Sequence, residues 1–291
     1  MYLQDIKGAD GRVFTARDNK GNSMDGAKII ENPKLAGTFI AVYHSYDTSG
    51  LAKVNLAYST DLLNWQFLTS LAGDAGKNAT QATIAAVGDG FMLAHEQEPK
   101  NHVRLAYYEN WEKLIKNEPA NTFDTPMTLS AYAEGTPCIY SATPDSADIG
   151  FHYFREGKVD RQCRGKMTGW TEWTTSEQPQ IDEALLSFGI SGNVGDRDPV
   201  TYKGKDFLYI EGGGDNAHFG NWRCFLYDPE TETADKLEIK TPGGSLAFAN
   251  PTVTQVTFKG RPTLVCSVFI PTENSAPGEV GCCIYYHYLD S

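Results

Sequence analysis

The sequence is short of positive charge: its 291 residues carry 25 Lys and Arg against 37 Asp and Glu, a formal net charge of −12. Recognition of nucleic acid or of an anionic membrane surface needs a basic face that displaces counterions, so neither partner class is expected. Long apolar runs are also missing. Stretches such as PTLVCSVFI span under ten residues, well below the ~18 of a membrane helix. The opening MYLQDIKGADGR has neither the basic nor the apolar region of a secretory signal, leaving a chain that is either intracellular or numbered after signal removal. Cysteine is sparse: Cys138, Cys163, Cys224, Cys266, Cys282 and Cys283 are too scattered for a disulfide framework, and no C-x-x-C pair offers zinc spacing. They read as buried free thiols, and no metal or cofactor is expected. The single sequon, Asn78-Ala79-Thr80, tips the expected location slightly toward secretion. Nothing in the chain bears on oligomeric state.

Helical patterns are scarce, confined to short pieces near Trp111 to Lys116 and Ile181 to Leu186. What the chain has instead is many short alternating strands, among them TFIAVYHSY, KVNLAYST, GFMLAHEQ, DIGFHYF, DFLYIEGG and CCIYYHYL, separated by Gly, Asp, Asn and Pro clusters that suit tight turns. The strands come in groups that open at Asp25, Gln81, Glu134, Asp198 and Asn250, at intervals of 56, 53, 64 and 52 residues, with 66 wrapping through both termini. Five such units fit four-stranded propeller blades with their loops. The predicted fold is therefore all-β, a five-bladed β-propeller forming one domain over residues 1–291. GRVFTARD near the N-terminus is placed as the outer strand of the blade that ends in IYYHYL, closing the ring without an exposed edge. Two stacked β-sandwiches are the alternative.

In a propeller the first strand of each blade starts, and the second ends, at the same mouth of the central channel. The five openings are thereby expected to converge with the second-strand ends. These carry His44, Tyr46 and Asp47 in the first blade, His95, Glu96 and Glu98 in the second, His152 and Arg155 in the third, and Glu211, Asp215 and His218 in the fourth. Polar residues at equivalent ends of apolar strands point to a wet, ligand-facing funnel. Arg197 and Trp222 join the candidates that contact a small-molecule or oligosaccharide ligand there. Surplus carboxylates around such a funnel favour neutral or cationic ligands over phosphates.

Three motifs carry a resemblance. LAYSTDLLNWQF resembles the Tyr-Ser-x-Asp-Leu-x-x-Trp strand of five-bladed glycosidases of the arabinanase, xylosidase and invertase type, EGTP resembles their general-acid motif, and GDRDP their Arg-Asp-Pro motif. The resemblance implies that Asp25 is the catalytic base, Glu134 the general acid, and Asp198 with Arg197 the group that orients substrate and tunes the acid. It also implies inversion, with two carboxyl groups ~6.5–9.5 Å apart on either side of the scissile bond. One departure matters: in those enzymes the Arg-Asp-Pro residue precedes the general acid, on the second blade, whereas here Gln81 opens that blade and the motif stands on the fourth.

Two other readings follow from resemblance. The segment DIGFHYFREGKVDRQCRGKMTGWTEW is similar to a repeat of fungal fucose-binding propeller lectins, which implies sugar binding without catalysis. The later stretches GDRDPVTYKGKDFLYIEGGGDNAHFGNW, FANPTVTQ and APGEVGCCIYYHYL resemble fungal propeller proteins of secondary metabolism, which implies a non-hydrolytic cyclase or hetero-Diels-Alderase that holds a reactive substrate in the funnel.

Overall fold

The computed structural model describes residues 1–73, 76–214 and 218–290; Asp215, one of the expected funnel residues, lies outside them. Five four-stranded antiparallel sheets stand around an axis. Blade 1 contains β2 (Asp25–Glu31), β3 (Phe39–Tyr46), β4 (Ala52–Ser59) and β5 (Gln66–Ala72). Blade 2 contains β6 (Ala79–Val87), β7 (Gly90–Gln97), β8 (His102–Tyr108) and β9 (Asn121–Asp124). Blade 3 contains β10 (Glu134–Thr143), β11 (Ser146–Arg155), β12 (Val159–Thr168) and β13 (Glu172–Glu177). Blade 4 contains β14 (Val194–Tyr202), β15 (Lys205–Gly212), β16 (Arg223–Asp228) and β17 (Thr233–Lys236). In blade 5, β18 (Ala249–Phe258), β19 (Arg261–Ile270) and β20 (Gly281–Tyr288) are completed by the N-terminal β1 (Gly11–Val13), which pairs with β20. The fold is the predicted five-bladed propeller, closed as predicted by its two ends, and not a pair of sandwiches. The short helices α1 (Trp111–Ile115) and α2 (Pro179–Leu186) fall where the sequence places helical turns.

The first strands touch one another around the ring: β2 meets β6 and β18, β10 meets β6 and β14, and β14 meets β18. Each junction between blades has its own apolar cluster, because alternate residues of a strand face opposite neighbours. Ile29, for example, packs toward Val256 and Ile284 of blade 5, and the adjacent Ile30 toward Ala82 and Ile84 of blade 2. All six cysteines are free and buried. The sequon is built into the junction of blades 1 and 2: Asn78 Oδ1 accepts the Ala52 N–H at 2.8 Å, and Thr80 Oγ1 donates to Glu96 Oε2 at 2.8 Å.

Candidate active site in the propeller mouth

A β-bulge near the start of every first strand fixes which side chains reach the axis. The pairing skips two residues in each blade: Gly26 and Ala27, Gln81 and Ala82, Thr136 and Pro137, Gly195 and Asp196, Asn250 and Pro251. The leading bulge residues recur every 55 positions except once, at 59 (26 to 81, 81 to 136, 136 to 195, 195 to 250). Gln81, Thr136 and Asn250 hold φ of 49°, 51° and 47°, the left-handed region that side-chain-bearing residues enter only when the surroundings enforce it.

The enforcement is visible at three junctions. His44 Nδ1 accepts the Gln81 N–H at 3.4 Å, Glu96 Oε1 accepts the Thr136 N–H at 2.7 Å, and Glu211 Oε2 accepts the Asn250 N–H in a very short bond. At these three junctions the second strand thus ties down the bulge of the next blade. Gln81 then reaches across the mouth, donating from Nε2 to Asn250 Oδ1 at 3.3 Å. It lies over Gly26, where a Cβ would come within 3.0 Å of Gln81 Oε1. This bridge floors the funnel. Below it a cavity of about 10 Å³, room for roughly one water, is lined by Lys28, Thr83, Cys138, Asp196 and Asp198 among others. Lys28 Nζ donates to Asp198 Oδ2 at 2.5 Å and to the Val253 carbonyl at 2.9 Å, so the funnel is floored above and bolted below.

The sequence-predicted residues are therefore only partly brought together. Asp25 stands one residue before its bulge, half-buried, in register with His44 on the facing strand. The only hydrogen bond to its carboxylate among the described residues comes from Ser23 Oγ at 3.2 Å. Burial raises the Asp25 pKa, opposed by His44, the Ser23 bond and Arg17. Burial lowers that of His44, opposed by Asp25 and Glu96. Tyr46, 61 % exposed, sets its ring edge-on to His44 at 6.1 Å.

Glu134, the expected general acid, has one carboxylate oxygen committed to a loop. It stands two residues before its bulge, wholly buried, and Oε1 accepts the N–H groups of Thr128, Leu129 and Ser130 at 2.8, 2.6 and 3.0 Å. It is turned under the loop that leads into blade 3. Asp198 stands three residues beyond Gly195, the leading residue of its bulge, where Oδ2 is occupied by Lys28 and by the Val253 N–H at 2.8 Å. Arg197 points into the joint of blades 3 and 4: a Cβ on Gly150 would meet its Nε at 2.7 Å. His95 also leaves the funnel, because alternation turns it opposite to Glu96. Its Nδ1 contacts the Glu96 carbonyl at 2.9 Å, it lines a groove with Gln97 and Arg104, and burial takes its pKa down to about 4.

Glu211 does reach the mouth, but with both oxygens engaged, Oε1 accepting the Asp196 N–H at 3.0 Å. Burial pushes its pKa up to about 7. Its neighbour Asp196, absent from the predicted site, is raised well above the carboxylate range by burial and by Glu211. Trp222 lies buried over Gly213 and Gly195, where a Cβ would approach the indole to 2.7 and 3.2 Å. His218 is exposed just before it. On blade 3, His152 holds the row position of His44, with Asp160 Oδ1 at 3.6 Å from Nε2 and a buried Nδ1 that has no partner. Among the described residues no three His, Cys, Asp or Glu side chains are grouped to hold a metal.

No protein-family model matches the chain, and no curated protein does. Solved structures do match. A thermostable family-43 glycoside hydrolase superposes with a TM-score of 0.62 at 9 % identity, over 94 % of this chain and 92 % of that one. The α-L-arabinofuranosidase from Lactobacillus brevis gives 0.59 at 10 %, covering 90 % of each chain. A mutant Bombyx mori GH32 β-fructofuranosidase, BmSUC1, in complex with sucrose gives 0.56 at 13 %, over 90 % of this chain and 59 % of that one. The chain has the five-bladed fold of the glycosidase propellers; at these identities the likeness speaks for the fold.

Proposed function

We propose that the chain is a carbohydrate-active enzyme of the glycoside hydrolase type, binding a sugar in the mouth with Asp25 as its proton-accepting carboxylate. The observation that carries this is the state of Asp25. It is the mouth carboxylate with one long hydrogen bond, half-buried beside a buried histidine, while Glu96 and Glu211 are filled by donors from their own blade and the next. Burial that favours its neutral form brings its pKa toward the working range of a general base. The proton-donating role implied for Glu134 falls in this reading to His152, on a non-adjacent blade, with Asp160 beside it.

Activity on a panel of aryl glycosides tests the reading. Asp25→Asn should lower turnover by about 10²–10⁴ while sugar binding persists; equal activity of the variant, or no turnover of any glycoside by the native chain, refutes it. One observation favours a second reading, a sugar- or polyketide-binding propeller that does not hydrolyse: two of the three motif carboxylates, Glu134 and Asp198, are held in structural bonds. Saturable binding without turnover would select it.

A further inference from the structure

The row of second-strand residues just above the floor is divided by chemistry. Opposite the residue that precedes each bulge stand His44, Glu96 and His152 on blades 1 to 3, then Gly212 and Phe269 on blades 4 and 5. The polar sector ends where Gly212 begins. There the chain supplies no side chain of its own, and Trp222 covers the adjoining Gly213 and the bulge at Gly195. Phe219 stacks on Trp222 with ring centroids 5.7 Å apart and planes inclined by 26°, and remains 41 % exposed. Leu246, in the loop before β18 and linked to Gly220 through Asn274, is 59 % exposed.

These apolar groups are held in place. The Phe248 N–H donates to the Trp222 carbonyl at 3.2 Å, the Leu246 N–H to the Asn274 carbonyl at 2.9 Å, and Asn274 Nδ2 to the Gly220 carbonyl at 2.9 Å. An aromatic stack alone would suit the face of a sugar ring, but exposed Leu246, with half-buried Phe269 on the next blade, adds apolar surface that cannot hydrogen-bond a sugar. Such a surface gains from covering by a flat apolar group.

We infer that the mouth takes an amphipathic ligand, a glycoside whose sugar faces blades 1 to 3 and whose aromatic or polycyclic aglycone lies on Phe219, which buried Trp222 backs, and on Leu246. This rests on the sugar reading of the site for its polar half only. The test compares methyl and 2-naphthyl glycosides of arabinofuranose, xylopyranose and galactopyranose, with 2-naphthol alone as a third probe, by calorimetric titration of the full chain. The naphthyl glycoside of the bound sugar should bind at least about tenfold more tightly than the methyl one, and 2-naphthol should compete for the same site. In a Phe219→Ser, Leu246→Ser double variant the ratio should fall toward one; both side chains are exposed, so the fold is retained. Equal affinity for methyl and naphthyl ligands, no binding of 2-naphthol, or a naphthyl preference unchanged in the double variant overturns the inference. Binding of 2-naphthol by a chain that hydrolyses no glycoside supports the apolar sector and removes only the hydrolase reading.

Discussion

Substitution of Glu134 separates its motif-implied role from its structural one. If Glu134 anchors the loop into blade 3, Glu134→Ala removes one buried acceptor and strands three backbone N–H groups, those of Thr128, Leu129 and Ser130. A hydrogen bond to a charged group contributes ~1.5–3 kcal/mol, and three donors that share one oxygen are not independent, so the loss should be about 3–5 kcal/mol. Glu134→Gln keeps an Oε1 acceptor, and puts an amide where Oε2 is buried without a partner, so about 1–2 kcal/mol is expected. Equilibrium urea unfolding measures both, with aryl glycosidase turnover followed on the same samples. The anchor predicts that activity tracks the folded fraction. A Glu134→Gln protein as stable as the native chain but slower by orders of magnitude would refute it and return Glu134 to the role of acid.

Three further outcomes follow from the channel and the mouth. Lys28→Met leaves the Asp198 carboxylate buried without its cation and should cost about 3–5 kcal/mol in urea unfolding, most of it regained in Lys28→Met with Asp198→Asn; an additive double variant would contradict this pairing. Asp196 and Glu211 retain in the folded chain a proton that the unfolded chain releases above about pH 4.5. Stability should therefore be greatest on the acid side of that window and fall by roughly 2–3 kcal/mol as pH rises from about 4.5 through about 7, with Asp196→Asn flattening the slope; a native profile level across that window would refute it. Within the hydrolase reading, His152→Gln should lower turnover of a glycoside with a poor leaving group by about 10²–10⁴ and spare one whose leaving group needs no protonation; an equal effect on both assigns the donor elsewhere.

The architecture was legible because it depends on alternation and punctuation, which survive at the level of single residues. Even the closure by GRV against IYY could be read, since an unpaired edge on either end would be exposed. The site was less legible because register has a period of two and a bulge shifts it. Counting openings by their first polar residue placed Asp25, Glu134 and Asp198 one residue before, two before and three after the bulges, so their side chains go to different places. A signal for the true row existed: the 55-residue spacing of Gly26, Gln81 and Thr136, repeated between Gly195 and Asn250. His95 shows the same sensitivity, since one step along β7 separates the mouth from a groove between blades. Asp196 was missed because its partner in titration, Glu211, is brought to it by the pairing of β14 with β15 and is distant in sequence.

A narrow five-bladed mouth sets structure and chemistry in competition for the same side chains. Three of the bulges turn a backbone N–H toward the preceding blade, and a buried N–H must find an acceptor. His44, Glu96 and Glu211 meet that need at the junctions of blades 1 and 2, 2 and 3, and 4 and 5, which draws them away from any ligand. The two remaining junctions carry no such tie among the described residues. At the fifth, the row residue is Phe269, which accepts nothing, and Asp25 beside that junction stays lightly bonded. At the third, Gln162 Nε2 joins the blades instead, donating to the Val194 and Gly195 carbonyls at 2.7 and 2.8 Å, and His152 is released. At these two junctions the Asp25 carboxylate keeps only the Ser23 bond and the His152 ring only the Asp160 contact, so within the hydrolase reading they are the groups on which catalysis would depend.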